Sequence, residues 1–316
     1  MWRGHTIALR RTGNPDAAIK VILIHGFGAS SGHWRHTLPA LADGADVIAL
    51  DLLGFGASSK PRSRLADEAD EPGAVRYCFD LWAEQVVDAA VALFAIETRS
   101  CRLHLVGNSI GGMVALNAAR LLRERGLSPA QVVLLDCAQR ALDDKRLAQL
   151  PAWQRPSRPL LKALVRQRAV IAPLFRLLAR PAFIRRVLAR AYPSTAHVDD
   201  ELVELLFRPS TDPGALESFR GFVNLFNDHL APQLLDELSR TSGAGAKPIP
   251  VRLIWGEADP WEDPAEARRW AAHYACIEEL VVLPGVGHCP HDEAPELVNP
   301  LLRRWIGCSP VNPQRA

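Results

Sequence analysis

Short runs of apolar residues recur along the chain, and stretches with helical spacing separate them. Six runs have the length and composition of buried parallel strands, at residues 18–25, 46–51, 103–106, 131–136, 251–255 and 278–283. Helical spacing is clearest over residues 79–96 and 295–306. This alternation predicts an α/β fold with a mostly parallel, doubly wound sheet.

The pattern changes between residues 140 and 240. Strand-like runs disappear there, prolines recur and helical segments dominate. We therefore predict a core formed by residues 1–139 and 241–316, with residues 140–240 inserted over the strand ends as an α-helical cap, or lid. Residues 241–250 (TSGAGAKPIP) have the composition of a flexible linker that returns the chain to the sheet.

Charge is distributed unevenly within the predicted cap. Residues 140–190 carry 13 Lys or Arg against two Asp, whereas residues 197–240 carry nine acidic residues against three Arg. In the simpler interpretation, the basic half is solvated or pairs with the acidic half. The alternative is that it makes peripheral contact with an anionic membrane or lipid surface.

Composition narrows the class of protein. A net charge of +2 over 316 residues does not indicate nucleic-acid binding. No apolar run approaches the roughly 18 residues of a membrane span, and the N-terminus lacks the apolar segment of a secretory signal. The six cysteines are scattered, which favours reduced thiols and a cytoplasmic location. No pattern indicates an oligomeric state.

The candidate chemistry centres on Gly107-Asn108-Ser109-Ile110-Gly111, which lies between a predicted strand and a predicted helix. A strand that turns into a helix through G-x-S-x-G is typical of a nucleophile elbow, in which a strained turn presents the serine hydroxyl. We expect glycine at 107 and 111 because side chains there would collide as strand and helix close together. The alternative is a glycine-rich turn of a nucleotide-binding α/β domain.

A second glycine-rich loop follows the first predicted strand, at residues 26–32. It lacks the G-K-[ST] of a phosphate loop and the later glycine of the dinucleotide fingerprint. We predict instead that the backbone N–H of Phe27 points into the cavity above the sheet. Together with the N–H of Ile110, at the start of a helix, it would form a two-donor oxyanion hole.

Ser109, Asp259 and His288 occur in the order serine, acid, histidine, each just after a predicted strand. A serine hydroxyl is a poor nucleophile at neutral pH, so His288 would accept its proton. Asp259 would fix the tautomer of His288 and stabilise the imidazolium. Asp136, which also ends a strand, is the second-choice acid, and Glu257 is a weaker third candidate.

Several other residues have simpler interpretations. His288 and His291 have H-x-x-H spacing, but a loop that contains Pro290 is not the helical arrangement of a zinc protease, so we predict no metal site. His25 is expected to shape its loop, and Asp51 to bind backbone N–H groups of a turn. Cys289 is not expected to be a nucleophile.

Five sequence blocks, taken together, resemble the α/β-hydrolase superfamily over almost the whole chain: HGFGASSGHW, DLLGFGASSKP, VGNSIGG, WGEADPWEDP and GVGHCPHDEAPELVN. The elbow and the histidine block are most similar to the pheophytinase-like branch of plant and cyanobacterial serine hydrolases, which includes an esterase that cleaves the phytol ester of pheophytin. Related epoxide hydrolases and dehalogenases use an aspartate nucleophile, where this chain has Ser109.

The expected function is hydrolysis of a carboxylic ester through an acyl-enzyme, without a cofactor. The apolar cap suggests a small hydrophobic ester as substrate, and the resemblance implies a phytyl or tetrapyrrole ester. Two alternatives stay open. One is a meta-cleavage hydrolase of C–C bonds, which shares GNSxGG. The other is a non-catalytic ligand-binding protein of the same fold.

Overall fold

The computed structural model describes residues 1–98, 100–240 and 247–308, and these form one sheet of seven strands. The strands are β1 (Leu9–Gly13), β2 (Ile19–Ile24), β3 (Asp46–Leu50), β4 (Arg102–Asn108), β5 (Gln131–Leu135), β6 (Val251–Gly256) and β7 (Ile277–Leu283). Their spatial order is β1-β3-β2-β4-β5-β6-β7. Strand β1 is antiparallel to β3, and every other pair is parallel. The predicted α/β fold with a mostly parallel sheet is confirmed.

All six predicted strands are present, but β1 was not predicted. Its sequence, LRRTG, is polar and mostly exposed, as suits an edge strand with one neighbour. Arg11 in β1 binds both carboxylate oxygens of Asp46, at 2.8 and 2.7 Å. That ion pair and the ladder to β3 are tertiary interactions, so the apolar pattern alone does not reveal this strand.

Helices cover both faces of the sheet. They are α1 (Thr37–Leu41), α2 (Phe79–Phe94), α3 (Ile110–Glu124), α4 (Arg158–Arg166), α5 (Arg168–Leu178), α6 (Pro181–Ala191), α7 (Asp200–Phe207), α8 (Ala215–Val223), α9 (Ala231–Ser239), α10 (Pro264–His273), α11 (Pro290–Glu293) and α12 (Pro295–Ile306). One apolar core lies between the sheet and α2, α3, α9 and α10. A second lies between the opposite face and α1 and α12, which makes the sheet doubly wound.

The predicted cap is helical where the structure describes it, with α4 to α9 and several short 3-10 turns. Helix α9 differs from the others, because Leu234, Leu235 and Leu238 are buried in the same core as α3. By packing, α9 therefore belongs with the sheet domain, although it lies inside the predicted insertion 140–240. The first part of the predicted linker, residues 241–246, lies outside the described residues.

An ion-pair network, buried at Asp292 and exposed at Asp199, joins the cap to the sheet domain. Arg35 binds the fully buried Asp292 of the sheet domain through Nε at 2.8 Å, and binds Asp199 of the cap through Nη1 at 2.8 Å. The Tyr192 hydroxyl, on the cap side, donates to Asp292 at 3.1 Å. Asp292 is fully paired by these contacts, so the network holds the two parts in one arrangement.

The carboxyl ends of the parallel strands meet at one edge of the sheet, where α/β proteins place their ligands. Phe27 follows β2 closely, and Ser109 and Asp136 directly follow β4 and β5. Asp259 follows β6, and His288 follows β7. All the predicted site residues therefore lie at the same edge. Within the described ranges, no helix has both the length and the apolar character needed to cross a membrane.

Candidate active site

Ser109 sits on a sharp turn between β4 and α3. Its φ of 55° and ψ of −122° are strained for a side chain with a Cβ. The flanking glycines explain how the turn closes. A Cβ on Gly107 would lie 2.2 Å from the Gly111 carbonyl oxygen, and a Cβ on Gly111 would lie 2.2 Å from the Ile24 carbonyl oxygen. Only glycine fits at either position, as the sequence predicted.

His288 and Asp259 are joined by a hydrogen bond. His288 Nδ1 donates to Asp259 Oδ2 at 2.8 Å, which leaves the Nε2 side of the ring for other partners. The histidine backbone is held as well, because Asn108 Nδ2 donates to the His288 carbonyl oxygen at 3.0 Å. The Trp261 ring packs edge-on against the imidazole, 4.8 Å between centroids. The ring orientation is therefore fixed from several sides.

Asp259 is held as an anion by its surroundings. Burial acts to raise the pKa of this carboxyl, but the hydrogen bond and charge of His288 outweigh burial, so its pKa lies below the ordinary value. The backbone N–H groups of Trp261 and Glu262 donate to Oδ1 at 2.8 and 3.1 Å. A carboxylate with these partners suits the role of orienting a histidine.

Asp136, the second-choice acid, lies near both Asp259 and His288, but the hydrogen bond of the His288 ring is to Asp259. Asp136 Oδ1 accepts from the Gly256 N–H at 2.9 Å. Burial, followed by the charge of Asp259, raises the pKa of Asp136 well above its ordinary value, which favours the protonated form of this carboxyl. Between the two candidate acids, the geometry thus pairs Asp259 with His288.

The same three side chains are the group best placed to hold a metal ion. One ligand atom each from Asp136, Asp259 and His288 lies within 4.8 Å of the others. However, Nδ1 of His288 is occupied by Asp259, and the raised pKa of Asp136 disfavours the carboxylate anion that a cation would need. His291, the other half of the H-x-x-H pair, packs on the Trp34 ring at 4.2 Å between centroids.

The two predicted oxyanion donors line the same cavity as Ser109. Ile110 is the first residue of α3, so its N–H has no partner within the helix. Phe27 lies on a loop shaped by His25, whose Nδ1 donates to the Gly26 carbonyl at 2.7 Å and whose Nε2 accepts from the Leu52 N–H at 3.1 Å. Burial lowers the pKa of His25, which keeps the ring neutral for both bonds.

The neighbouring turn also forms as predicted. Asp51 accepts backbone N–H groups from Ser31 at 2.6 Å and from Ala57 at 2.7 Å. Gly54 and Gly56 both have positive φ, 96° and 52°. The aspartate and glycines after β3 thus build a turn beside the cavity.

Ser109 and His288 open on a cavity of about 630 Å³. Its walls are mostly apolar and come from both the strand ends and the cap. Among the described residues, no hydrogen bond joins the Ser109 hydroxyl to the His288 ring. Such bonds are often long in unliganded sites and shorten when substrate binds. The two side chains line one cavity.

A second, apolar cavity of about 260 Å³ adjoins the first. The residues that line both cavities, and at which the two cavities therefore meet, are Phe27, Ala29, Val187, Leu188 and Leu206. The Phe27 ring is stacked on the ring of Phe222, 3.9 Å between centroids. The second cavity extends away from Ser109 between the loops after β2 and β3 and helices α5, α6 and α8.

Among the polar and aromatic residues that line the active-site cavity, sequence reasoning missed His33, Arg140, Trp261 and Glu262. His33 Nε2 is bonded to the Tyr192 hydroxyl at 2.8 Å, and burial lowers the pKa of this histidine to about 4. Burial raises the pKa of Glu262 to about 8. The sequence signal for Trp261 and Glu262 was their place in the loop that carries Asp259. For His33 no local signal existed.

Burial decides the state of Cys289, which follows His288 and also lines the active-site cavity. Burial raises the pKa of its thiol well above the ordinary value, so the thiol stays protonated. Cys289 therefore has the character of a packing residue, next to Leu188 and Tyr192.

Comparison with known proteins places this site in a family. The model described as "Alpha/beta hydrolase family" matches residues 21–301, which include every candidate site residue. The chain belongs to the alpha/beta hydrolase family.

Curated relatives of this family member carry out different reactions. The chain is 26% identical to the chloroplastic pheophytinase of Arabidopsis thaliana, over 90% of this chain and 60% of that protein. It is 32% identical to the 2-hydroxymuconate semialdehyde hydrolase of Pseudomonas sp. (strain CF600), over 64% of this chain and 58% of that protein. The matches thus span about three fifths of each relative's length.

Solved structures agree on the fold. A thermophilic esterase from Thermogutta terrifontis superposes with a TM-score of 0.66 and 24% identity, over 95% of this chain and 93% of that one. A meta-cleavage product hydrolase from Pseudomonas fluorescens IP01 gives a TM-score of 0.63 at 20% identity, over 96% and 95% of the two chains. At these identities the similarity supports the hydrolase fold, and the reaction has to be argued from the site.

Proposed function

We propose that this alpha/beta hydrolase cleaves a carboxylic ester of a hydrophobic substrate through an acyl-enzyme. The observation that carries the proposal is the shared cavity, which holds the strained Ser109 and a His288 already bonded to Asp259. These are the groups that nucleophilic catalysis by serine requires. No cofactor is needed for this chemistry.

The steps follow from the positions of the groups. Ser109 Oγ attacks the ester carbonyl carbon while His288 Nε2 accepts the hydroxyl proton, and Asp259 stabilises the imidazolium. The N–H groups of Phe27 and Ile110 donate to the carbonyl oxygen as it becomes negative. His288 then returns the proton to the leaving alcohol. Water, deprotonated by the same histidine, releases the acid from the acyl-enzyme.

The cavities support an apolar substrate. The active-site cavity is walled mainly by apolar side chains of the cap and the strand ends, and the second cavity continues this apolar surface. Lys60 lines the second cavity, but its ammonium is bonded to the Gly56 carbonyl at 2.5 Å and to Asp212 at 2.8 Å. It therefore offers no charge to an acidic group, and an aliphatic chain such as phytyl fits the lining.

Chain length is the property to measure. Each methylene that leaves water contributes about 0.8 kcal/mol, so kcat/KM should rise with chain length until the second cavity is full. The test is a panel of p-nitrophenyl esters of increasing length, with pheophytin included. Preference for the shortest ester would contradict the proposed substrate class.

One substitution tests whether the second cavity holds the aliphatic chain of the substrate. Ala179 lines the second cavity and not the first. Ala179→Phe should therefore shorten the ester chain that the enzyme prefers and leave kcat/KM for the shortest ester unchanged. Ala189→Phe is the matched control, because Ala189 is an exposed residue of α6 outside both linings. An unchanged preference in Ala179→Phe would place the chain elsewhere.

A second candidate, hydrolysis of C–C bonds in unsaturated keto acids, is favoured by Arg140. This buried side chain lines the active-site cavity, and its Nε has no partner among the described residues. Its Nη2 binds Asp143 and the Leu225 carbonyl. The Nε N–H is buried and the guanidinium is paired with Asp143, so the side chain would have to turn into the cavity to bind a substrate carboxylate. A dienol keto acid in the same panel distinguishes the two, since its turnover should depend on Arg140 and that of a neutral ester should not.

A further inference from the structure

The first helices of the cap expose apolar stripes that a soluble helix normally buries. Helix α4 exposes Leu160, Leu161 and Leu164, and α5 exposes Val170, Leu174 and Leu177. Spacings of three and four place each set on one face of its helix. The preceding turn adds Trp153, whose surface is 78% exposed. Helix α5, by contrast, fully buries a single apolar residue, Ile171.

The same segment is strongly basic. Residues 145–198 contain twelve Lys or Arg and no Asp or Glu. Several of these cations pair with acidic residues from outside the segment, for example Arg146 with Glu266 and Arg168 with Glu217.

Four cations of α5, α6 and the turn between them remain. Arg176, Arg180, Arg186 and Arg190 are exposed and form no ion pair with any residue that the structure describes. Pairing with the acidic half of the cap therefore accounts for only part of the basic charge.

We propose that this surface binds a membrane rich in anionic phospholipid. We call it the α4–α6 face and define it by the exposed apolar residues Trp153, Leu160, Leu161, Leu164, Val170, Leu174 and Leu177 with Arg176, Arg180, Arg186 and Arg190. Apolar side chains flanked by unpaired arginines are what an interfacial helix presents to lipid headgroups. The apolar groups enter the headgroup region, and the arginines contact the phosphates.

Charge argues against a second copy of this chain as the occupant. If two α4–α6 faces met, eight unpaired arginines would come together with no acid of residues 145–198 to neutralise them. Like charges brought together in an interface oppose association, whereas an anionic lipid surface neutralises them. The lipid surface is therefore the occupant that the composition favours.

The position of this face suits a lipophilic substrate, a point that rests on the proposed function. Helices α5 and α6 carry the face on their outer sides, and their inner residues Leu178, Ala179 and Phe183 line the second cavity. Val187 lines both cavities and is 37% exposed. An ester dissolved in the membrane would thus meet the cavity wall directly behind the docking surface.

The test is flotation of the full chain with vesicles of phosphatidylcholine alone or with one-third phosphatidylglycerol. We expect the protein to float with the anionic vesicles at low salt, and to be released by high salt because the arginine contacts are screened. Emission of Trp153 should shift to the blue, and this shift should be missing in Trp153→Phe. Absence of flotation at low salt would overturn the proposal.

Paired variants locate the contact. Arg186→Gln with Arg190→Gln should weaken binding about fivefold for each charge, and Leu174→Asp with Leu177→Asp should abolish it. The matched controls Arg10→Gln with Arg268→Gln, and Leu93→Asp with Leu297→Asp, remove equal charge or apolar surface from the sheet domain. Equal loss in the controls would overturn the assignment to this face.

Self-association is measured on the same samples. A dimer at the working concentration that Leu174→Asp with Leu177→Asp dissociates, without vesicle binding, would identify a second copy as the occupant and overturn the lipid proposal. Binding that survives in Ser109→Ala, together with lost hydrolysis, would separate docking from catalysis. Membrane binding is therefore tested independently of the proposed reaction.

Discussion

The strand-end loops and the first cap helices place their side chains in opposite environments. At the strand ends, buried polar groups are held by specific partners, as Asp259 is by His288 and two backbone N–H groups. On α4 and α5, apolar side chains such as Leu160 and Leu174 face outward, and the nearby Arg176 forms no ion pair with any residue that the structure describes. The first region is organised for fixed geometry, and the second for contact with something outside the chain.

This difference assigns separate tasks to the two regions. Chemistry needs preorganised donors and acceptors, because a reacting group that moves loses the benefit of its position. Selection of an apolar substrate needs only shape and apolar area, which helices can supply with few polar constraints. Substitutions in the two regions should therefore differ in both the size and the kind of their effects.

The largest effect should be a loss of kcat that distinguishes Asp259 from Asp136. Asp259→Asn should lower kcat by about 10⁴-fold, because an amide at this position favours the wrong histidine tautomer. Asp136→Asn should change kcat less than about tenfold, since the raised pKa of Asp136 favours a neutral side chain, which an amide resembles, and the His288 ring is bonded to Asp259 instead. Steady-state hydrolysis of a short ester measures both. Equal losses would mean that Asp136 is the acting carboxylate.

The next largest effect should be a loss of stability when a side chain is added in the turn that carries Ser109. In Gly111→Ala, the new methyl would meet the Ile24 and His25 carbonyl oxygens at 2.2 and 2.6 Å, so strand and helix must separate. We expect a loss of about 3 kcal/mol or more in the free energy of unfolding. Gly126→Ala is the control, because its site is open and only the positive φ of 74° costs about 1–2 kcal/mol. Urea unfolding of both variants compares them, and similar losses would contradict the close approach.

A smaller effect should appear as a pH dependence. The pKa of Glu262 rises from the ordinary 4.5 to about 8 on folding, mainly through burial. The folded state therefore binds a proton that the unfolded state lacks, and stability falls as pH rises from about 4.5 towards 8. Glu262→Gln removes this dependence, so the free energy of unfolding of the variant should rise relative to that of the wild type as pH increases from about 4.5 to about 8. This difference in the free energy of unfolding should grow by less than about 1.4 kcal/mol per pH unit, because the Glu262 side chain is only partly buried.

Urea unfolding at several pH values measures this difference. The other titrating groups are common to both proteins, so the difference isolates Glu262. Parallel stability curves for wild type and Glu262→Gln would show that this carboxyl is already ionised in the folded state.

The sequence predicted the parts of the molecule that are encoded locally. Apolar runs located six strands, and the turn chemistry around Ser109 predicted a strained elbow because only glycine permits that approach. The strand β1 could not be found this way, since its pairing depends on Arg11 reaching Asp46 across the sheet. The packing of α9 on α3 likewise depends on where the chain returns from the cap.

Within the site, the missing information was spatial. Asp136 and Asp259 are 123 positions apart in the chain, and their contact follows from the pairing of β5 with β6. His33 enters the cavity because Tyr192 of the cap holds its ring. The charge pattern of the cap could be read from the sequence, but which of its arginines are paired depends on the acids that the fold brings near them, such as Glu266 of α10 and Glu217 of α8.

The most direct test of the proposed serine chemistry is labelling of the folded protein with a fluorophosphonate, followed by peptide mass spectrometry. Such a probe transfers its phosphonyl group to an activated serine oxygen and releases fluoride. The account predicts one adduct, on Ser109, that is absent in Ser109→Ala and formed far more slowly in Asp259→Asn. A folded wild-type protein that gains no adduct, or a Ser109→Ala variant that is still labelled, would contradict it.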